Sequence, residues 1–517
     1  MRTKHSALIA LLGTLVLAVA ACGGPPGADA AQHSDGDALG SYQRARAALG
    51  HVVEALGGEA RLRGLTSVAY ATEGTIFGRG QSASPTSEYE AQPHEARFVY
   101  DVAGDRTFTE WETWFRGGLH QHFRRVFDAD KGWAHDLARN GLKPVSALDV
   151  SLLKVVPAFY PARLQPALLA RAALGSASSL RWAGEGDGPP RIGFTDADGF
   201  ATTLVLDPAT WLPTAAERVG SDPVRGDVQN EVRYGDYRAV DGLMAPHTVE
   251  VLGAGEVLES WTVSEVSFDA ELDGAAFDPP ADLELHQPLQ WWVPHRLADG
   301  VWWLRIWSSG NASYNMLIVE FDDHLAIVEA ALSDLLYPAI APVLASLAPG
   351  KPVRWVVPTH YHADHTNGIR AYIANGATAV VAPQMADYVR ALAQAQHTLQ
   401  PNPIADVDVE ERLRVFEKRK TLTDGSRTME LYQVGPGPHV DEMVIVHLPE
   451  EGILFTSDLF TVPDVGDYRA PSPTLRDFAR VLGELDLNVT TIVPGHGRPG
   501  TMDDLRDALA GAEAAVD

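Results

Sequence analysis

One short stretch decides the fold of the C-terminal half: Thr359-His360-Tyr361-His362-Ala363-Asp364-His365-Thr366-Asn367-Gly368. It follows an apolar, β-branched run at 353–357 that prolines flank on both sides, a pattern that predicts a short buried strand. After it the chain turns into an amphipathic segment at 369–374. The histidines therefore lie in a strand-to-helix loop at the carboxyl edge of a sheet, where α/β folds usually place their chemistry.

This loop carries three imidazoles and one carboxylate within six residues, namely His360, His362, Asp364 and His365. A lone histidine is usually a surface or core residue with satisfied hydrogen bonds, whereas side chains at this spacing in a tight loop converge. Imidazole and carboxylate are the ligands that Zn, Fe, Mn and related ions take. We therefore interpret the loop as part of a metal site.

Three further residues share a placement with this loop. His439, Asp458 and His496 each come just beyond the end of a short segment that is predicted to be a buried strand, and most have glycine or proline beside them. Unrelated solvent-facing residues would not be expected to share that position. The sequence thus joins one motif and three distant residues into a single constellation.

With these residues in this order, residues 286–517 resemble the metallo-β-lactamase-fold superfamily. Its pattern is a His-x-His-x-Asp-His loop, then a lone His, an Asp and a final His. The resemblance implies an α/β domain, an αββα sandwich with two metal ions at one edge of its two sheets. It implies a first metal on His360, His362 and His439, a second on Asp364, His365 and His496, and Asp458 as the bridge between them.

The cofactors implied are two divalent metal ions, Zn2+ or alternatively Fe or Mn. Two such ions lower the pKa of a shared water toward neutrality, and a carboxylate such as Asp458 can bridge two hard ions. Asp364 is assigned a catalytic role as well, because it can orient the resulting hydroxide. Two positions depart from the family pattern: Glu329 stands for an early Asp that supports the loop, and Val440 stands where Thr is frequent.

Composition limits the domain count and the partners. A chain of 517 residues with 45% hydrophobic and 21% charged residues predicts two globular domains with additional segments. The formal net charge of −27 argues against nucleic acid as a partner, since phosphates need a basic footprint. It equally disfavours an electrostatic contact with anionic lipid.

Residues 1–22 are predicted to be a targeting signal, because a positively charged start precedes an apolar stretch too short to span a membrane comfortably. The stretch ends in Val19-Ala20-Ala21-Cys22, which resembles the bacterial lipoprotein box; an ordinary secretion signal is the alternative. Cys22 is the only cysteine, so neither a disulfide nor a thiolate ligand is available. We expect a protein that is lipid-anchored in the bacterial cell envelope and faces the periplasm, with residues 23–40 as a flexible tether.

Residues 41–285 are predicted to form an α+β domain. Helical character at its start gives way to alternating strand patterns over 67–266, with a helical insert at 148–174. The pattern favours a curved antiparallel sheet with helices on one face, and its rhythm resembles the lipoprotein-carrier family. His120 and His122 lie in a predicted strand without a third ligand nearby, so we interpret them as an exposed strand face. No chemistry is assigned to this domain.

The sequence thus predicts an envelope-anchored, dinuclear metal-dependent hydrolase. Its substrate is expected to be a small ester, lactone, thioester or β-lactam, attacked through a metal-bridging hydroxide, with residues 307–314 and Tyr361 shaping the mouth of the site. The alternative is a lipid-binding or envelope-interaction lipoprotein in which the metal domain is structural. The complete ligand set favours the hydrolase, because a metal site that no longer served catalysis would be expected to lose some of its ligands.

Overall fold

The computed structural model describes residues 35–128, 131–145, 165–284, 292–308, 313–399 and 402–511. The predicted signal with Cys22 and most of the predicted helical insert lie outside the described residues. Within the described ranges, no helix combines the length and the apolar character needed to cross a membrane.

The helices of the described part are, in chain order, α1 (Asp35–Leu56), α2 (Glu59–Arg63), α3 (Pro166–Gly175), α4 (Tyr337–Leu347), α5 (Ala363–Thr366), α6 (Ile369–Ala374), α7 (Pro383–Gln394), α8 (Pro473–Leu485) and α9 (Met502–Ala510). Helix α1 begins inside the predicted tether at 23–40, so the prediction of a flexible tether is wrong for residues 35–40. The cause is tertiary packing, because α1 buries Leu49, Val52 and Leu56 against the N-terminal sheet and this burial stabilises a helix from a weakly patterned start.

The N-terminal region forms one antiparallel sheet of thirteen strands, as predicted in type. Its strands are β1 (Ser67–Phe77), β2 (Ala91–Asp101), β3 (Arg106–Phe115), β4 (Leu119–Asp128), β5 (Lys131–Asp136), β6 (Gly141–Val145), β7 (Arg181–Trp182), β8 (Arg191–Thr195), β9 (Ala201–Leu206), β10 (Pro213–Asp222), β11 (Gly226–Val240), β12 (Leu243–Gly253) and β13 (Glu256–Phe268). Strands that are neighbours in sequence pair with each other, except β6 and β7, which form the two edges of the sheet. The pairing of β1 with β13 joins its two halves.

The C-terminal region contains two further sheets. The seven-stranded sheet runs in the order β14 (Pro294–Ala298), β15 (Val301–Ser308), β16 (Ser313–Glu320), β17 (Leu325–Val328), β18 (Val353–Val357), β19 (Thr378–Val381) and β20 (Leu413–Val415). The five-stranded sheet runs in the order β21 (Arg419–Thr423), β22 (Thr428–Val434), β23 (Met443–Leu448), β24 (Ile453–Ser457) and β25 (Thr491–Pro494).

These two sheets pack face to face beneath helices, which confirms the expected αββα sandwich. Strand β23 is apolar except for His447, because both of its faces are buried. Val444 and Val446 enter the core between the sheets, and Met443 and Ile445 enter the core beneath the helices. Burial on both faces requires a continuous apolar run. The loops after β18, β24 and β25 leave parallel strand ends, so they meet at one edge of the sandwich.

Candidate metal centre

All seven predicted metal ligands come together at this edge of the sandwich. One group contains His360, His362, His439 and Asp458, and the other contains Asp364, His365 and His496. Within each group the candidate ligand atoms lie within 4.8 Å of one another. The structure therefore brings side chains from four separate loops into one centre.

In the first group, two ring nitrogens and a carboxylate oxygen approach one another closely. His360 Nε2 lies 3.3 Å from His439 Nε2, which in turn lies 3.3 Å from Asp458 Oδ2. The Nδ1 atom of His362 is buried and has no hydrogen-bond partner among the described residues. Basic atoms that converge in this way are suited to sharing one cation.

The second group uses the other oxygen of the same carboxylate. Asp458 Oδ1 lies 3.0 Å from His365 Nε2 and 3.2 Å from His496 Nε2. Asp364 Oδ2 lies 3.4 Å and 3.5 Å from the same two nitrogens. Because each oxygen of Asp458 faces a different group, this carboxylate is placed to connect two ions, and the chemistry of the donor set fits divalent metals such as zinc.

Glu329 supports the centre from below, as predicted. Its side chain is fully buried, and its Oε1 accepts hydrogen bonds from Thr359 Oγ1 (2.7 Å), Ser457 Oγ (2.8 Å) and His365 Nδ1 (3.2 Å). His360 Nδ1 donates to Thr359 Oγ1 at 3.0 Å. These bonds fix the tautomers of two histidines, so that Nε2 of each points into the centre.

The N-terminal domain supplies another part of this support, which no local sequence pattern predicts. His362 Nε2 donates to the carbonyl oxygen of Ser82 at 3.0 Å, which turns the Nδ1 atom inward. The Gln81 amide donates to Asp364 Oδ1 at 2.9 Å. Gly80 has a φ of +73°, a backbone conformation that favours glycine, and lies directly over Ala363.

A close approach also explains the glycine before the last histidine. A Cβ atom on Gly495 would lie 3.0 Å from His365 Cε1 and 3.2 Å from Asp458 Oδ1, tighter than almost all real contacts. The backbone can therefore pass this close to the centre only without a side chain. On the far side, His496 Nδ1 donates to the carbonyl oxygen of Ser313 at 2.7 Å, which directs its Nε2 inward.

Burial and neighbouring charges set the protonation states of the centre. Burial, with the neighbouring His439, lowers the pKa of His362 to about 3, so this imidazole is neutral and can bind a cation. Burial raises the pKa of Asp458, but His365 and His496 outweigh it and hold that pKa well below its usual range. His362 is therefore a neutral imidazole and Asp458 an ionised carboxylate, the forms in which these two groups bind metal, whereas the carboxylate of Asp458 raises the pKa values of His365 and His496.

A cavity of about 540 Å³ lies between the metal centre and the N-terminal sheet. One end is lined by His362, Asp364 and His496. The opposite wall is one face of β1 to β4, β6 and β13, because cross-strand partners such as Trp111 and Phe123 project from the same face. The apolar residues of this wall are Ile76, Phe98, Trp111, Phe115, Leu119, Phe123 and Trp261.

The remaining predicted residues lie outside the centre. His120 Nε2 lies 2.7 Å from Glu112 and His122 Nε2 lies 3.2 Å from Glu110, on the sheet face turned away from the cavity, so neither joins the metal clusters of the described residues. Tyr361 does not line the cavity, and its prediction as part of the mouth is wrong. Its hydroxyl is turned toward the protein and donates to Ser82 O at 2.6 Å. Tyr314, from the predicted mouth at 307–314, does line the cavity.

The part of the chain that contains this centre is similar to known proteins. Residues 313–496 match the family model of the metallo-beta-lactamase superfamily. No curated protein matches the chain. Among solved structures, the chain is similar to the metallo-beta-lactamase FIM-1 from Pseudomonas aeruginosa in its mono-zinc form, at 23% identity over 43% of this chain and 95% of that chain, with a TM-score of 0.32.

Two further solved structures show the same range of similarity. A metallo-beta-lactamase from Pontibacter korlensis is 20% identical over 43% of this chain and 98% of that chain, with a TM-score of 0.33. The flavodiiron protein from Giardia intestinalis is 16% identical over 44% of this chain and 60% of that chain, with a TM-score of 0.33. The family match over 313–496 lies within the predicted C-terminal domain, and it confirms the predicted fold and the predicted class of metal-dependent hydrolase.

Proposed function

From the metallo-beta-lactamase superfamily domain and its two converging ligand groups, we infer that the protein is a dinuclear hydrolase of small esters, lactones, thioesters or β-lactams. The observation that carries this proposal is Asp458, whose two oxygens face different groups of histidines. Two divalent ions bound there would supply Lewis acidity toward a carbonyl and toward a water molecule. The reaction adds water across a C–O, C–S or C–N bond of the substrate.

Asp364 holds the catalytic position in this proposal. Its Oδ2 faces the second group, whereas its Oδ1 accepts the Gln81 amide at 2.9 Å. One oxygen is thus fixed by the N-terminal domain, and the carboxylate plane cannot turn away from the reacting water. Positioning of this kind converts the attack into an effectively intramolecular step.

The cavity supports a substrate that is held between the two domains. Its metal end is polar, and its sheet wall presents large aromatic side chains such as Trp111 and Trp261. An apolar part of the substrate can pack on this wall while the reacting carbonyl lies at the metal end. The continuity of the two surfaces weighs against the alternative of a lipid-binding module with a separate structural metal domain.

The test uses the full chain with its metals. We expect about two divalent ions per chain by elemental analysis, and hydrolysis of at least one member of a panel of nitrophenyl esters, lactones, thioesters and cephalosporins. Asp458→Asn should remove both the second ion and the activity. Fewer than one metal ion per chain, combined with turnover that a chelator leaves unchanged, would contradict the proposal.

We propose further that the protein is anchored in the bacterial cell envelope through acylated Cys22 and faces the periplasm. The lipoprotein-box sequence at 19–22 supports this placement. Metabolic labelling with a palmitate analogue should mark the wild-type chain and leave Cys22→Ser unmarked. Equal labelling of both chains would refute the anchor.

A further inference from the structure

Three of the five lysine and arginine residues that line the cavity lie close together, and they come from both domains. Arg139 lies in the turn between β5 and β6, Lys143 lies in β6, and Arg469 lies in the segment between β24 and α8. We call these three residues the basic cluster. They line the same cavity as His496 and Gly497.

The charges around the basic cluster do not balance. Asp136 Oδ2 accepts from Arg469 at 2.9 Å. Asp464 pairs with Lys143 at 3.1 Å and also with Arg305, at 2.6 Å, so this carboxylate is shared by two cations. With Arg139, four positive charges meet two carboxylates, which leaves an excess of two positive charges next to the cavity.

Arg139 is the least satisfied member of the basic cluster. Its Nε lies 3.9 Å from Asp136 Oδ2, beyond hydrogen-bond distance, and this nitrogen has no hydrogen-bond partner within the described ranges. Nε of Arg469 is likewise buried without such a partner there. Burial and the charge of Arg469 lower the pKa of Arg139 to about 10, so it remains protonated at neutral pH. A half-buried cation whose Nε has no partner is unfavourable unless an anion meets it.

We propose that the basic cluster binds an anionic group of the substrate, such as a carboxylate, while the metal centre holds the reacting carbonyl. This inference rests on the proposed hydrolase function and narrows its substrate class to acidic esters, lactones, thioesters or amides with an apolar middle part. Guanidinium groups suit this task because their planar donors match a carboxylate in pairs. Two of the three cations come from the N-terminal sheet, so that domain selects the substrate.

A matched pair of esters tests the selection. The mono-4-nitrophenyl ester of adipic acid carries a free carboxylate, and 4-nitrophenyl hexanoate has the same chain length without one. Arg139→Gln in the full, metal-loaded chain should lower kcat/KM about 10-fold or more for the adipate ester, through KM, because a charge-assisted hydrogen bond is lost. It should leave the hexanoate within about 3-fold. An equal loss for both esters would overturn the proposal and assign Arg139 a structural role.

A binding experiment keeps the proposal testable without hydrolysis. Calorimetry compares the binding of 4-phenylbutyrate with that of its neutral amide. The chain is treated with a chelator, so that a difference in affinity cannot come from metal coordination. We expect the acid to bind about 10-fold more tightly than the amide, and Arg139→Gln or Lys143→Gln to abolish the difference. Equal binding of acid and amide would overturn the anion site, whereas acid-selective binding in a chain that hydrolyses no ester would uphold it and refute only the hydrolase.

Two controls complete the design. Arg97→Gln changes an exposed arginine on the opposite face of the same sheet and should alter neither ester nor acid binding. Inorganic phosphate tests whether a free anion is the ligand instead. If phosphate binds more tightly than 4-phenylbutyrate and the enzyme does not prefer the adipate ester, the basic cluster does not bind a group of the substrate and the proposal is overturned. Weak or absent phosphate binding supports it.

Discussion

Glu329→Gln tests the support of the metal centre. The wild-type carboxylate oxygen accepts three hydrogen bonds, from Thr359, Ser457 and His365. A hydrogen bond to a charged group contributes about 1.5–3 kcal/mol and a neutral one about 0.5–1.5 kcal/mol, so the amide weakens each bond by about 1 kcal/mol. The amide is also cheaper to bury than the carboxylate, which offsets part of that loss. The free energy of unfolding should therefore fall by less than about 3 kcal/mol.

Glu329→Gln should weaken metal binding more strongly than it lowers the stability of the fold. A carboxylate behind a liganding histidine fixes its tautomer and raises its basicity, and removing such a partner typically costs about 10–100-fold in metal affinity. We expect this loss for Zn2+ in competition with a chromogenic chelator, with an unchanged circular dichroism spectrum. The control is Glu417→Gln, at an exposed position of the same domain. Wild-type Zn2+ affinity in Glu329→Gln, or an equal loss in the control, would refute this role for Glu329.

Three other perturbations have defined outcomes. Gln81→Ala should lower kcat about 10-fold at unchanged metal content by elemental analysis, because it removes the hydrogen bond to Asp364 Oδ1; loss of metal instead would contradict a positioning role. Burial raises the pKa of Glu259 from 4.5 to about 8, so the native state keeps a proton that the unfolded state loses, and this contribution to stability is complete below about pH 4.5 and lost as the pH rises toward 8. In calorimetric scans between pH 5 and pH 8, the melting temperature of the wild type should therefore fall more than that of Glu259→Gln. Equal falls in the two proteins would contradict a raised pKa for Glu259. A chelator should lower the melting temperature of the full chain by roughly 5–10 °C, and Zn2+ should restore it, since ions held only by the native state stabilise that state.

The metal centre could be predicted from the sequence because its signals are local. The strand at 353–357 and the helix at 369–374 have the bounds that their apolar patterns predict, and the dense loop between them carries four of the seven candidate ligands. Of the other three, Asp458 and His496 follow strands that are buried almost throughout, and His439 follows the only partly buried strand β22. Parallel strand ends then meet at one edge whatever the length of chain between them.

The rest of the site lacked a local signal. Gln81 contacts a carboxylate 283 residues further along the chain, and neither periodicity nor spacing encodes such a contact. Arg139 lies in a turn, where an arginine ordinarily faces solvent, and only the docking of the two domains buries it against Arg469. The early part of α1 was assigned to a tether for the same reason, since its composition alone does not reveal the sheet that it packs on.

The support of the centre is divided between the two domains, and this division makes the N-terminal sheet part of the enzyme. Glu329 and Ser457 beneath the ligands have φ values of 78° and 51°, which cost on the order of 1–3 kcal/mol each for residues other than glycine. Above the ligands, the carbonyl oxygen of Ser82 selects the tautomer of His362 that leaves Nδ1 facing inward. Without that contact, either ring nitrogen of His362 could carry the proton. A chain whose two domains separate would therefore lose metal affinity before its C-terminal sandwich unfolds. Metal affinity therefore reports on the contact between the 80–82 segment of the N-terminal domain and the metal centre.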